Sequence, residues 1–190
     1  MADFTLSSGN VCKPFRSPWG AFPTRGFKVS TGVSSATIHE GRPVTLDYTE
    51  AGNTSNAGYV KASTGDNTFY LAGIAAGTIS GSSATVGVTE VSVWEANPMV
   101  EFKAVTKGAT LDLAQVGLHK KLMRDSTLDI EYVDLSASTA ADWRVVITGL
   151  IDGVGDSGGY VSFRFLSRLT ENTGSSVAIT STSPVLAFYA

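Results

Sequence analysis

The sequence predicts an all-β fold: a single β-barrel or β-sandwich body with an extended N-terminal arm and an apolar C-terminal segment. Apolar and polar residues alternate with a period of two through several short runs. Clusters of Gly, Ser, Asn and Asp separate those runs, and no stretch sustains a heptad repeat. Gly, Ser and Thr make up roughly a third of the 190 residues, far above ordinary usage, which suits a chain of many turns. Three regions follow: an arm over 1–36, a β-rich body over 37–169, and a Ser/Thr-rich stretch over 170–190 that ends in a docking strand.

The arm carries three of the six prolines, Pro14, Pro18 and Pro23, spaced so as to forbid a helix. Phe15, Trp19, Phe22 and Phe27 lie between and beside them, and Lys13, Arg16 and Arg25 are interleaved with the rings. Through Arg42 the chain has five basic residues against two acidic ones, a balance of +3, which leaves −6 for the rest. Rings that cannot cover one another must lie on the body or on a partner, since exposed aromatic area is costly. These seven residues are therefore expected to contact a protein partner or a neighbouring subunit.

In the body, Val44, Leu46 and Tyr48 alternate with Thr45, Asp47 and Thr49, and Val100, Phe102 and Ala104 with Glu101 and Lys103. Leu128, Ile130 and Tyr132 alternate with Asp129 and Glu131, and Val161, Phe163 and Phe165 with Ser162 and Arg164. Each pattern fits a strand with one buried face. Residues 111–124 fit neither period cleanly; they are assigned to strand after Val116, with Asp125-Ser126 turning into 128–134. The run 136–142 is expected to be a short helix or loop, and the continuous apolar run 143–151 a central strand. Leu186, Phe188 and Tyr189, in a C-terminal stretch apolar to its last residue, are expected to dock on this sheet or on a neighbour's.

Composition removes several classes. No apolar run reaches the length of a transmembrane helix, and the first 20 residues lack the apolar core of a secretory leader. A net charge of −3 argues against nucleic acid as a partner. The single cysteine, Cys12, excludes an internal disulfide framework, and it is expected to be merely a small residue in the arm. His39 and His119 lack a second metal ligand at useful spacing, so no metal and no cofactor is expected.

Gly155-Asp156-Ser157-Gly158-Gly159 resembles the segment around the nucleophilic serine of chymotrypsin-like serine proteases, and His39, Asp66 and Ser157 follow that family's chain order. The flanking cysteines and the apolar context of the histidine are missing, and the segment is equally the composition of a tight β-turn. Gly153, Gly155 and Gly158 also match a dinucleotide fingerprint in form, but a strand rather than a helix is expected to follow. Asp125, Asp129, Asp134, Asp152 and Asp156 lack the spacing of a calcium loop and read as turn carboxylates. The basic cluster of His119, Lys120, Lys121 and Arg124 is expected to face acidic protein surface or water. No catalytic residue is assigned.

The second half runs Val116-Gly117-Leu118, Leu122-Met123-Arg124-Asp125, Tyr132-Val133-Asp134-Leu135, Trp143-Arg144-Val145-Val146-Ile147, Gly153-Val154-Gly155 and Gly159–Leu166. With Gly41–Val44, Tyr70–Ala75 and Val100–Phe102, this pattern over roughly residues 40–168 resembles the head decoration (cement) proteins of tailed bacteriophages. The resemblance implies a non-enzymatic β-barrel or β-sandwich virion protein, a homotrimer on the outer capsid surface, bound to the major capsid protein and stabilising its lattice. Another β-rich phage component (a head fibre base, tail or adhesion module) is the alternative, and a serine protease stands behind both.

Overall fold

The computed structural model describes residues 7, 9, 11–30, 37–46, 59–62, 70–81, 84–136 and 145–166. It is all-β, with eleven strands in two sheets. These are β1 (Lys13–Arg16), β2 (Thr24–Lys28), β3 (Pro43–Leu46), β4 (Val60–Ala62), β5 (Tyr70–Ala75), β6 (Glu90–Glu95) and β7 (Glu101–Lys107). A 3-10 turn at Leu113–Gln115 precedes β8 (His119–Asp125), β9 (Ile130–Asp134), β10 (Val145–Leu150) and β11 (Tyr160–Phe165).

The last five strands close a barrel. Neighbours run β7, β11, β10, β8, β9, and β9 returns to β7 through parallel pairs at Val105↔Tyr132 and Lys107↔Asp134. One edge of β7 is therefore shared: β9 takes its C-terminal half, and β1 pairs antiparallel with its N-terminal half at Lys13↔Lys103 and Pro14↔Phe102. The second sheet is open, ordered β2-β6-β5-β3-β4.

The barrel core contains Phe102, Phe163 and Phe165 with Val133, Val145, Ile147 and Val161. The three rings lie 5.1–6.1 Å apart between centroids, with Phe163 edge-on to Phe165. Each such pair adds about 0.5–1.5 kcal/mol to simple burial. A second core gathers Val29, Ile38, Val44, Val60, Val91 and Val93 on the far face of the open sheet. Ile74, Leu71 and Trp94 of that sheet instead pack into the barrel core, so the sheet covers one end of the barrel. Pairing direction fixes the other end. There β7, β9 and β10 finish and β8 and β11 begin, and the loops 108–118 and 151–159 lie side by side.

Several expectations from alternation hold, and others invert. Phe102, Ala104, Val161, Phe163 and Phe165 point inward as expected, and residues 145–150 form an interior strand between β11 and β8. In β9 Ile130 is buried at 2% as expected, but the face that joins the barrel core is the other one: it carries Val133 and Leu135, with Glu131 only 6% exposed, while Tyr132 is half-buried. Thr45, expected on the solvent face, is fully buried because β3 is an interior strand flanked by β4 and β5. Cys12 is a core residue rather than an arm residue in solvent. Tyr48, residues 137–144 and the C-terminal stretch lie outside the described residues.

Candidate functional site

Three segments distant in sequence meet at the covered end of the barrel. Val11-Cys12 leads into β1, the turn His39–Arg42 leads into β3, and Asp129–Glu131 opens β9; together they line a narrow cleft. Gly41 permits the crossing. Its φ is +84°, and a Cβ there would stand 2.9 Å from Val11 Cβ and 3.0 Å from the Cys12 backbone.

The charges at this joint are layered. On the rim, His39 Nε2 lies 2.5 Å from Asp129 Oδ2, and Arg124 Nη2 pairs with the other oxygen of the same carboxylate. Beneath it, Arg42 is 8% exposed; its Nη1 donates to Thr37 O at 2.8 Å, and its Nε has no partner. Burial and the Arg124 charge lower the Arg42 guanidinium from its ordinary value, opposed by Glu131 and Asp129. Burial pushes the Glu131 carboxyl up to about 8; the Asp129 charge adds to this, while Arg42 and Arg124 pull it down. At neutral pH Glu131 is thus mainly protonated. Cys12 is fully buried, and burial, then the Glu131 charge, raise its thiol well above the ordinary range.

A cysteine and a histidine in one cleft are the ingredients of nucleophilic catalysis, which needs the thiol pKa lowered. Here burial and the Glu131 charge both act the other way on Cys12, the imidazole is held by Asp129, and the cleft is too tight to seat a small molecule. The arrangement works as a joint that ties the arm and the open sheet to the barrel. Nothing in local spacing foretold it. Its one sequence signal is a carboxylate inside the apolar strand Ile130-Glu131-Tyr132-Val133; the buried cation that influences it, Arg42, comes from the turn before β3, far away in sequence.

Ser157 stands elsewhere. It lies in the β10–β11 hairpin loop, bridged to Thr110, at the opposite end of the barrel from His39. Asp66 lies outside the described residues. The protease-like order of His39 and Ser157 is therefore not a shared site. The glycine pattern in the same loop runs into β11, a strand, as its turn-like reading requires. The loop carboxylates serve their own turns: Asp152 accepts from Tyr160 N at 2.8 Å, and Asp156 accepts from Gly153 N at 3.0 Å. Asp125 accepts from Thr127 N and Leu128 N and pairs with Lys107; these bonds hold its carboxyl down at about 2. Lys120 is buried and donates to Leu135 O. Among the described residues no group of three His, Cys, Asp or Glu could hold a metal ion, and no helix is long and apolar enough to cross a membrane.

The arm residues split into two kinds. Phe15 and Phe27 are half-buried, with the Arg16 guanidinium 4.9 Å over the first ring and the Arg25 guanidinium 5.1 Å over the second. Lys13, Arg16 and Arg25 are exposed. Trp19 and Phe22 sit in the turn between β1 and β2; Trp19 is 57% exposed and Phe22 is exposed beside it. Leu186, Phe188 and Tyr189 lie outside the described residues. The loops at the far barrel end expose Leu113, Val116, Leu118, Ile151 and Val154, which the sequence had not marked as a surface.

A scan against protein-family models, a search of curated proteins and a search of solved structures each found no match.

Proposed function

We propose that this protein is a non-enzymatic structural component that decorates and stabilises the capsid of a tailed bacteriophage, bound to the outer surface of the major capsid protein lattice. The observation that carries this reading is the arm tip. A tryptophan and a phenylalanine are held out in solvent between two paired strands, with exposed Lys13, Arg16 and Arg25 around them. Aromatic and arginine side chains on a pre-ordered frame are what protein contacts concentrate, because little ordering entropy remains to be lost on binding. Among the described residues β1 and β2 lie at the edges of their sheets, where a neighbour's strand can be added. The resemblance to cement proteins supplies the kind of neighbour, a symmetric lattice on which many modest contacts add up.

The test is co-sedimentation of the full chain with undecorated capsids. The protein should pellet with shells and raise their resistance to heat. The double variant Trp19→Ser, Phe22→Ser should bind at least about tenfold more weakly with an unchanged melting temperature. Capsids left bare by the wild type, or a double variant that decorates equally well, would refute the reading. Point variants are preferable to truncation, because Cys12 and Val29 at the two ends of this segment are core residues.

A further inference from the structure

The far end of the barrel and the arm tip are complementary, and they lie on opposite ends of the molecule. The loops 108–118 and 151–159 are zipped together by Leu111 N to Asp156 O at 2.9 Å and Gly155 N to Leu111 O at 2.8 Å. A second pair, Gly117 N to Ile147 O and Ile147 N to Leu118 O, fixes the first loop along β10. This backbone holds Leu113, Val116, Leu118, Ile151 and Val154 at one end, with Leu113 68% and Val154 62% exposed. Five large apolar side chains in adjoining loops are more than a scattering of exposed residues.

Charge selects the occupant. These two loops contain Asp112, Asp152 and Asp156 and no Lys or Arg. The described arm, 11–30, contains Lys13, Arg16, Arg25 and Lys28 and no acid. Three facing acids lie on the strands beneath the arm: Glu101 is taken by Arg164 at 2.9 Å, Glu90 stands opposite Lys28, and Glu95, whose N–H donates to Pro23 O at 3.1 Å, lies beside the tip, so the arm keeps a net positive charge of one. The arm tip leaves the barrel at the start of β7, and the apolar loops follow its end.

We infer that one copy of this chain binds the next head to tail, the basic arm tip with Trp19 and Phe22 seating on the acidic-rimmed apolar end formed by the loops 108–118 and 151–159. Such a contact is heterologous: it closes into a ring when the rotation between copies permits, and otherwise continues as an open chain. It gives to a second copy the tip that the decoration reading gives to a capsid, and because it is measured on the pure protein without capsids its failure leaves the decoration reading standing.

The experiment is sedimentation velocity on the full chain and two variants, Trp19→Ser and the double variant Leu113→Ser, Val154→Ser. All three substituted side chains are solvent-exposed, and circular dichroism checks that each variant folds. The wild type should associate at concentrations up to about 100 μM, and raising salt from about 0.05 to 0.5 M should weaken it as the Debye length falls roughly threefold. Each variant alone should sediment as a monomer. Mixed one to one they should restore a dimer and nothing larger, because one intact tip then meets one intact loop surface. A monomeric wild type overturns the inference. So do variants that associate like the wild type, and a mixture that stays monomeric, which would mean a two-fold contact or none.

Discussion

Replacing Glu131 with Gln tests the joint between the arm, the open sheet and the barrel. In the folded chain the carboxyl is raised to about 8 from an ordinary value of 4.5, chiefly by burial. The unfolded chain therefore releases this proton near pH 4.5 while the folded chain keeps it to about pH 8. Across that window the folded state binds one more proton, so stability falls as pH rises, by about 1.4 kcal/mol per pH unit. Summed across the window this is on the order of 5 kcal/mol, comparable with the whole stability of a small domain. Glu131→Gln keeps the shape and removes the titration. Urea unfolding followed by tryptophan fluorescence at several values between about pH 5 and pH 8.5 should show the wild-type midpoint dropping steadily, and the variant nearly flat and more stable at the alkaline end. A flat wild-type profile, or a Glu131→Gln profile as steep as the wild type's, would show that Glu131 does not hold its proton in the fold.

Three further outcomes follow from geometry. Asp125→Asn should lose part of the wild type's acid sensitivity: the carboxyl held at about 2 contributes stability above its ordinary value, and that contribution disappears as pH falls toward 2, measurable by circular dichroism during acid titration. Gly73→Ala should lower the melting temperature sharply, at a cost of roughly 3 kcal/mol or more, because its Cβ would fall 2.0 Å from Trp94 O on the neighbouring strand. Cys12 should resist a thiol reagent in the native protein and react once urea unfolds it; rapid native labelling would contradict its burial.

Much of the barrel was legible because its interior is simple. Val161, Phe163 and Phe165 alternate into an aromatic core, and the continuous run at 145–150 belongs to an interior strand. The hairpin reading of 152–159 likewise rests on local turn chemistry, and there the structure agrees. Local pattern failed where a partner comes from far along the chain. Ile130 and Tyr132 look like the inward face of β9; Ile130 is buried, yet the face that joins the barrel core carries Val133 and Leu135, and Glu131 with them is covered where Arg42 and the arm meet the start of β9. The parallel β7–β9 pairing and the docking of β1 leave no periodic trace at all. For the same reason the joint around Cys12 was invisible, while the aromatic tip, being a local composition, was not.

The shared edge of β7 has a consequence for the order of events during folding. Its N-terminal half completes a pairing with β1, which precedes it by nearly half the chain (Lys13 pairs with Lys103), while its C-terminal half waits for β9, which follows. On a ribosome the first strand therefore emerges long before its partner, and Cys12 and the rings of the arm spend that interval without a surface to lie on. Pairings this distant in sequence slow folding into the millisecond-to-second range and lengthen exposure of sticky segments. Basic residues and prolines spaced among those rings act as gatekeepers through that interval, discouraging early pairing with other nascent chains until β7 arrives.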